Sequence, residues 1–382
     1  MTKNDDKRIP ALRFKGFNDD WAQHKLRNIL IVNSGKDYKE LNKGNVPVYG
    51  TGGYMMISVD HALSHKDAVG IGRKGSINKP QYLKAPFWTV DTLFFMTTKE
   101  NNNLEFIYSL SQTINWKKYD ESTGLPSLSK NTINNISIKT PSYFEQKKIG
   151  KIISQIDTLL SLQQRKEKLL KQIQQAIYYN IYPEYGTKIP IIRHREFNKD
   201  WSIVSFNKLY KKSKEKNDLT YGEDKIISVA KMYFKHESQN SSKDYLKTYN
   251  VFKKGDIAFE GNRSEGFSHG RFVQNNIGDG IVSHVFDVFT PLNKENLNYW
   301  KYAIHNEHIM KYVLVKSTTK ATMMNNLSTK DFLKQKIAVP NSCEMKKISH
   351  LLKGLDDQLE FSKRKIKILT KVKQFLLQNM FI

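Results

Sequence analysis

The sequence predicts an α+β protein with two globular domains, two long antiparallel coiled-coil helices and an approximate twofold internal repeat. Residues 141–177 recur 199 positions further along the chain, so that Pro141 corresponds to Pro340. A second repeat lies upstream, where the Phe17–Trp21 segment returns as Phe197–Trp201, and Trp21 and Trp201 are predicted to be core anchors where each domain begins. The segments between these repeats align poorly. Since an internal repeat decides the architecture before other signals do, we expect one scaffold used twice, carrying two different domains.

Proline positions and local patterns divide the chain into five segments. The first long helix should end at Tyr182, because Pro183 cannot continue a helix. The predicted segments are a first domain at 1–141, a helix at 142–182, a linker at 183–192, a second domain at 193–340 and a second helix at 341–382. Short apolar or β-branched runs predict strands in the first domain at Asn45–Tyr49, Ala68–Ile71 and Thr92–Met96.

Each long helix opens with the spacing of a capping box, in which a side chain at the N-cap and a Glu three residues later satisfy free N–H groups. Ser142 and Glu145 have this spacing, and Asn341 and Glu344 repeat it. Beyond the cap, apolar residues recur every seven positions in two series. The first series contains Ile149, Ile156, Gln163, Leu170 and Ile177, and the second, three residues later, contains Ile152, Leu159, Lys166 and Ile173.

This heptad pattern predicts that the two helices pair with each other, since an apolar stripe of that length is unfavourable in water. Polar residues interrupt the stripe at matching places, Gln163 in the first helix and Ser362 in the second. Polar residues at such positions can fix the register of a helix pair. The alternative is a solvated helix face that drifts across the stripe.

Lys and Arg number 62 against 37 Asp and Glu, which gives a formal charge of +25. An excess of this size favours a polyanionic partner such as nucleic acid, although an inert cationic surface is the alternative. Cys343 is the one cysteine, so the chain has no intramolecular disulfide and no multi-cysteine zinc site. No apolar run reaches the ~20 residues of a membrane span, and a cytoplasmic protein without a membrane partner is expected.

Several loops combine the residue types that contact phosphates with those that read base edges. In the first domain the candidate nucleic-acid-binding residues are Tyr49, Thr51, Tyr54, Arg73, Lys74, Ser76, Asn78, Lys79, Lys117, Lys118, Ser122 and Thr123. In the second domain they are Asn262, Arg263, Ser264, Ser268, His269, Arg271, Lys316, Thr318, Thr319 and Lys320. Any single residue of these sets has a solvated loop charge as its alternative, so the prediction rests on the groups.

These features together resemble a known family. Each variable segment is closed by a Pro-x-x-x-Glu-x-Lys-Lys-Ile helix, at Pro141 and at Pro340. Domain motifs support the likeness, among them Gly72–Ile77 in the first half and Gly278–Ser283 in the second. The loops Leu125–Ser129 and Asn325–Ser328 end the two domains in matching ways. The chain thus resembles the specificity subunit of a type I restriction-modification system over nearly its whole length.

The resemblance implies a function and a set of partners. Each domain would be a target-recognition domain that reads one half of a split double-stranded DNA sequence, and the paired helices would fix the gap between the halves. Two modification subunits, which methylate adenine with S-adenosylmethionine, would dock on the helices. Restriction subunits that use ATP and Mg²⁺ would complete a nuclease. The specificity subunit itself would have no catalytic centre, cofactor or metal.

Other readings remain as alternatives. Residues 70–75 fit the pattern G-x-G-x-x-G, but Pro80 prevents the long helix that a dinucleotide site needs. His305 and His308 lie three apart on a predicted helix, too few ligands for a convincing metal site. The chain has no G-x-x-x-x-G-K-[ST] loop for ATP. A freestanding nuclease or methyltransferase, and a structural coiled-coil adaptor with incidental charge, are the competing functions.

Overall fold

The computed structural model describes residues 9–235, 242–264, 266–320 and 324–382. The predicted first domain begins with residues 1–8, which lie outside the described residues. The chain divides into two compact units. One comprises Met1–Lys166 with Ser362–Ile382, and the other comprises Glu167–Phe361. Each unit therefore contains one globular domain, part of the first long helix and part of the second.

The first unit is built on short strands with helices packed against them. Its strands are β1 Ala22–Lys25, β2 Leu30–Ser34, β3 Lys43–Gly50, β4 Gly53–Val59, β5 Ala68–Gly72, β6 Gln81–Leu83, β7 Trp88–Thr89, β8 Leu93–Thr98 and β9 Ser137–Thr140. Its helices are α1 Leu26–Ile29, α2 Leu104–Thr113, α3 Lys130–Asn135 and the first part of α4 Tyr143–Asn180, with a 3-10 turn at Trp116–Tyr119. The three strands predicted in this domain are confirmed as β3, β5 and β8.

The core of the first unit lies between a sheet of order β2-β8-β5-β6 and the helices. All five residues of β5 are buried. Trp21 is 3% exposed, and its ring meets those of Phe106 and Phe381 edge to face. This arrangement confirms the prediction that Trp21 anchors the core, and it places the start of the domain against the end of the chain.

The second unit repeats the plan with different strands. Its strands are β10 Ser202–Ser205, β11 Tyr210–Lys212, β12 Ile227–Ser228, β13 Tyr233–Phe234, β14 Asn250–Phe252, β15 Ile257–Glu260, β16 Arg271–Gln274, β17 Gly280–Val282, β18 Val288–Pro291, β19 Thr318–Lys320, β20 Asn325–Leu327 and β21 Lys336–Val339. Its helices are α5 Lys243–Lys247, α6 Leu297–Ala303, α7 Glu307–Val315, α8 Thr329–Lys334 and the first part of α9 Ser342–Asn379, with 3-10 turns at Phe206–Lys208 and Glu223–Lys225.

A four-stranded sheet of order β11-β18-β15-β16 supports the second core. Aromatic side chains fill it, with Phe332 in contact with the rings of Phe206, Phe272 and Phe289. Trp201 is 2% exposed and meets the Tyr182 ring edge to face, as expected for a core anchor. The start of this domain thus packs against the end of α4.

The two long helices have 38 residues each, about 57 Å at 1.5 Å per residue. In each unit the first turns of one helix pack with the last turns of the other, so that Ile149 and Ile153 share a core with Leu376. The expected antiparallel pairing is confirmed. Within the described residues no helix is apolar enough over sufficient length to cross a membrane.

The heptad prediction is right in one series and wrong in the other. The series from Ile149 to Ile177 lies on the buried or half-buried side of α4. In the second series, however, Leu159 is 46% exposed and Ile173 is 49% exposed. The helix pair instead uses the positions one residue later, such as Ile153 and Leu160. Residues three and four positions apart share a helix face, so periodicity alone does not distinguish them.

Repeat-related residues make equivalent contacts in the two units. In the first unit Lys373 Nζ lies 2.6 Å from Asp157 Oδ1. In the second unit Gln174 Nε2 donates to Asp356 Oδ1 at 2.6 Å. Asp157 and Asp356 correspond in the repeat, as do Gln174 and Lys373. Ser362, the polar residue that interrupts the apolar stripe of the second long helix, is 2% exposed, as expected for a residue between the paired helices.

A buried ion pair closes each domain onto the start of a long helix. Arg13 Nε lies 2.8 Å from Glu145 Oε1, and Arg193 Nε lies 2.7 Å from Glu344 Oε1. These contacts correct part of the capping-box prediction. Asn341 does cap α9, since its Oδ1 accepts the Glu344 N–H at 2.9 Å. The Glu344 carboxylate, however, is bound by Arg193 and by the Trp201 Nε1–H.

Candidate nucleic-acid interface

In the first unit, main-chain hydrogen bonds join two of the predicted loops. The Tyr49 carbonyl at the end of β3 accepts the Val90 N–H at 3.0 Å. Two residues on, the Thr92 carbonyl accepts the N–H groups of Arg73 at 2.8 Å and of Lys74 at 3.3 Å. The β3–β4 hairpin with Tyr49, Thr51 and Tyr54 and the basic loop at Arg73–Lys79 therefore share one region of the domain.

The third predicted group joins the same region. Gly75 donates its N–H to Pro126 O at 2.8 Å, and Leu128 donates to Arg73 O at 2.9 Å. Lys117 and Lys118 lie exposed on the 3-10 turn before this loop. The loop is shaped by the Asp120 carboxylate, which accepts hydrogen bonds from Ser127 and Ser122. These bonds lower the pKa of Asp120, so the carboxylate is charged and Ser122 serves the turn.

The Arg73 loop depends on a glycine at its start. A Cβ on Gly72 would lie 2.4 Å from Ser76 O, so the loop can fold back on itself only at a residue without a side chain. No helix follows within residues 73–80, all of which the structure describes. Residues 70–80 therefore lack the helix N-terminus that would bind a pyrophosphate, and the hypothesis of a dinucleotide-binding site at residues 70–75 is rejected.

In the second unit, Asn325 brings the two predicted groups together. Its N–H donates to Gly261 O at 2.9 Å, and its Oδ1 accepts from Arg263 Nη2 at 3.2 Å. Its Nδ2 reaches Ser268 O at 3.3 Å. Asn325 also begins β20, which pairs with β19 and so adjoins Thr318, Thr319 and Lys320. Asn262, Arg263, Ser264 and Lys320 are all exposed in this region.

Two predicted cations of this domain are held by other side chains. Lys316 Nζ contacts Tyr185 Oη at 2.7 Å and lies over the Tyr185 ring. Arg271 pairs with Glu260 through Nε and Oε2 at 2.6 Å and lies over the Phe267 ring. His269 is half-buried. A ligand of Lys316 or Arg271 would therefore have to share or replace these contacts.

The histidine prediction is wrong in its placement. His305 lies in the turn after α6, whereas His308 lies on α7. His305 is half-buried, and its Nδ1 lies 3.1 Å from Phe272 O. Burial lowers the pKa of His305, which favours the neutral ring. Within the described part of the chain no cluster of three metal-ligating side chains occurs.

Sequence reasoning missed the residues that organise these loops. From the sequence, Asn325 is only part of a domain-ending loop, and Gln81 belongs to no distinguishing pattern. Gln81 Nε2 donates to Gly50 O at 2.9 Å and to Thr51 O at 3.1 Å, which holds the tip of the β3–β4 hairpin. Both residues act through contacts made over 30 or more residues of sequence, which local patterns do not reveal.

A family model for the type I restriction modification DNA specificity domain matches residues 18–172 and again residues 198–371. The chain therefore belongs to this family and contains its domain twice. It is a specificity subunit, the DNA-recognition component of a type I restriction-modification system and not a catalytic one.

Individual proteins agree with this assignment. The chain is 22% identical to the type I restriction enzyme MjaVIII specificity subunit of Methanocaldococcus jannaschii, over 72% of this chain and 68% of that one. Its fold is similar to the crystal structure of the type I restriction-modification S subunit from M. genitalium. That match has a TM-score of 0.66 and 13% identity, and it covers 98% of this chain and 99% of the other.

Proposed function

We propose that this subunit binds a bipartite double-stranded DNA target, with each domain reading one half-site. The observation that carries the proposal is the convergence, in each unit, of polar and basic loops that are distant in sequence. Arg73 and Lys74 lead one group, and Arg263 leads the other. Such side chains supply phosphate contacts and base-edge contacts together. The unlike loops on a repeated scaffold favour two different half-sites.

Measuring the affinity for duplex DNA at increasing salt concentrations tests this proposal. The target is first identified by mapping methylated adenines in the native genome, and the subunit is assayed with its modification subunits. Affinity should fall steeply with salt, with a log–log slope of about −0.9 per neutralised phosphate. A duplex with both half-sites scrambled is the control. Salt-insensitive binding, or equal affinity for the scrambled duplex, would contradict the proposal.

We further propose that modification subunits dock on a second apolar face of the long helices. This outer apolar face points away from the helix pair, because its positions differ from the buried ones. Its residues are Leu159, Leu162, Leu169 and Ile173 on α4 and Phe361, Ile368, Val372 and Phe375 on α9, all between 41% and 61% exposed. Exposed apolar groups of this regularity mark interaction surfaces. Their recurrence on both helices supports two copies of one partner.

The partners supply the chemistry in this proposal. Two modification subunits would bind S-adenosylmethionine and methylate adenine in the target. Restriction subunits would bind ATP and Mg²⁺ and complete the nuclease. The complex would act in the cytoplasm, where the chromosomal target is.

Charge placed on the outer apolar face tests the docking. Leu169→Asp and Ile368→Asp occupy corresponding positions of the repeat, and together they should prevent assembly with modification subunits. Gln164→Asp, at an exposed polar position of α4, is the matched control. Mass photometry of the mixture measures the stoichiometry. Full assembly of the double variant would reject this face as the docking site.

A further inference from the structure

The β3–β4 hairpin of the first unit contains a large bulge. Tyr49 pairs with Tyr54 and Pro47 pairs with Ser58. Three residues of β4, Met55 to Ile57, therefore oppose Val48 alone. The extra residues of β4 cannot all take part in the hydrogen-bond pattern between the two strands. Bulges of this kind change the direction of side chains and are frequent next to functional sites.

The bulge turns Met56 out into solvent. Its backbone has φ +60°, in the left-handed region that residues other than glycine rarely adopt. Its side chain is 83% exposed, more than any other large apolar side chain in the described parts of the chain. Strained positions of this type persist where the surroundings enforce them, and they concentrate at functional sites.

The hairpin around Met56 is braced. The hydroxyl oxygens of Tyr54 and Ser58 lie 3.2 Å apart and tie the two ends of the bulge together. Gln81 holds the hairpin tip through the carbonyls of Gly50 and Thr51. Met55, in contrast, lies over Gly50, since a Cβ there would be 3.1 Å from its sulfur. Met56 is thus the most exposed apolar side chain of the hairpin, ahead of its neighbours Tyr54 at 47% and Met55 at 38%, and it stands on a fixed support.

The surroundings of Met56 favour DNA as the partner that this side chain contacts. The hairpin is bonded through Val90 and Thr92 to the loop that carries Arg73 and Lys74. The whole chain has a formal charge of +25. Proteins that deform DNA insert apolar side chains, methionine among them, between base steps from the minor groove.

We infer that Met56 is a wedge that inserts between two base pairs of the half-site read by the first domain. Unstacking at that step makes the deformability of the DNA part of what the domain recognises. The inference rests on the proposed DNA binding and adds a mode of recognition to it.

Fluorescence of 2-aminopurine tests the wedge, because the base brightens when it unstacks. The probe replaces bases of the first half-site one position at a time, and the complex of the full chain with its modification subunits is added. The adenines to be methylated are excluded from the scan, because methyltransferases flip their target base out of the stack whether or not Met56 is present. Wild type should raise the fluorescence at one other step, whereas Met56→Ala and Met56→Gly should abolish that rise. Met56→Leu keeps an apolar side chain and should retain it. Ile31→Ala, at another exposed apolar position of the domain, is the control.

The affinities separate the possible outcomes. Preference for the target over a duplex with an altered first half-site should fall about tenfold in Met56→Ala, an effect of the size of one mismatched base pair. A Met56→Ala complex with unchanged fluorescence and preference would overturn the wedge. The wedge would also be overturned if Met56→Ala weakened assembly with the modification subunits while the remaining complex still raised the fluorescence. Met56 would then contact a protein and not DNA. Failure of the wild-type complex to bind the target would instead refute the proposed function.

Discussion

At the residue scale, Arg263 and Arg73 are the cations that we propose to read base edges. Arg263 is held by Asn325, and the Arg73 main chain is fixed by Thr92 and Leu128. Replacing Arg263 with Ala should weaken recognition of one half-site by about 1–3 kcal/mol, and Arg73→Ala should do so for the other. Competition assays with duplexes altered in a single half-site measure the two effects. Equal losses at both half-sites in either variant would contradict the assignment of one half-site to each domain.

Asp256 gives the second domain a pH dependence. The carboxyl is 3% exposed, and burial raises its pKa to about 6. Because the folded state binds the proton more tightly than the unfolded state, the contribution of Asp256 to stability is greatest below the unfolded pKa of 3.8 and is lost as pH rises through 6. The fall should reach about 3 kcal/mol at pH 7.

Hydrogen exchange of β15 between pH 4 and pH 7 measures this dependence, after correction for intrinsic exchange rates. Asp256→Asn keeps an acceptor for the Lys253 N–H and removes the titration. The variant should therefore lack the decrease that wild type shows. If wild type and Asp256→Asn lost stability in parallel as the pH rises, the loss would be due to other titratable groups.

At the element scale, the sequence predicted the elements that repeat and the strands with strong local patterns. The long helices, their pairing and the anchoring by Trp21 and Trp201 follow from repeats and periodicity. Which of Ile152 and Ile153 packs between the two helices does not follow from periodicity. Both residues lie near one helix face, and the position of the partner helix determines which one is buried. The strands of the second domain have two to four residues each, too short for a periodic signal.

The ion pairs that close each domain on a helix should be strong determinants of stability. Glu145 and Glu344 are 1% and 2% exposed, and the side chains of their partners Arg13 and Arg193 are 12% and 11% exposed, so a lost carboxylate charge leaves each arginine without its charged partner in a poorly solvated place. Glu145→Gln should destabilise the first unit by about 3–5 kcal/mol, and Glu344→Gln should do the same to the second. Hydrogen exchange resolved by unit measures each loss. Glu215→Gln, which breaks an exposed pair with Lys253, should cost about 1 kcal/mol or less.

An outcome in which Glu145→Gln loosens both units equally would show that the units do not unfold separately. Equal costs for Glu145→Gln and Glu215→Gln would show that burial adds little to the ion pair.

At the scale of the whole molecule, the repeated scaffold was predictable, but the details of the reading loops were only partly so. Composition predicted the groups around Arg73 and Arg263. It did not reveal that Lys316 is held by Tyr185, which lies 131 residues away in sequence. Contacts of that range depend on the completed fold. Each base contact likewise depends on how several distant loops meet, which local sequence patterns do not encode.

Exchange of one domain tests the central claim most directly. Residues 193–340 are replaced by the second domain of another member of the family, and methylated adenines are mapped in cells that contain the modification subunits. Two independent reading domains on one scaffold predict that one half-site changes while the other half-site and the gap between them stay the same. A change in both half-sites, or in neither, would contradict the account.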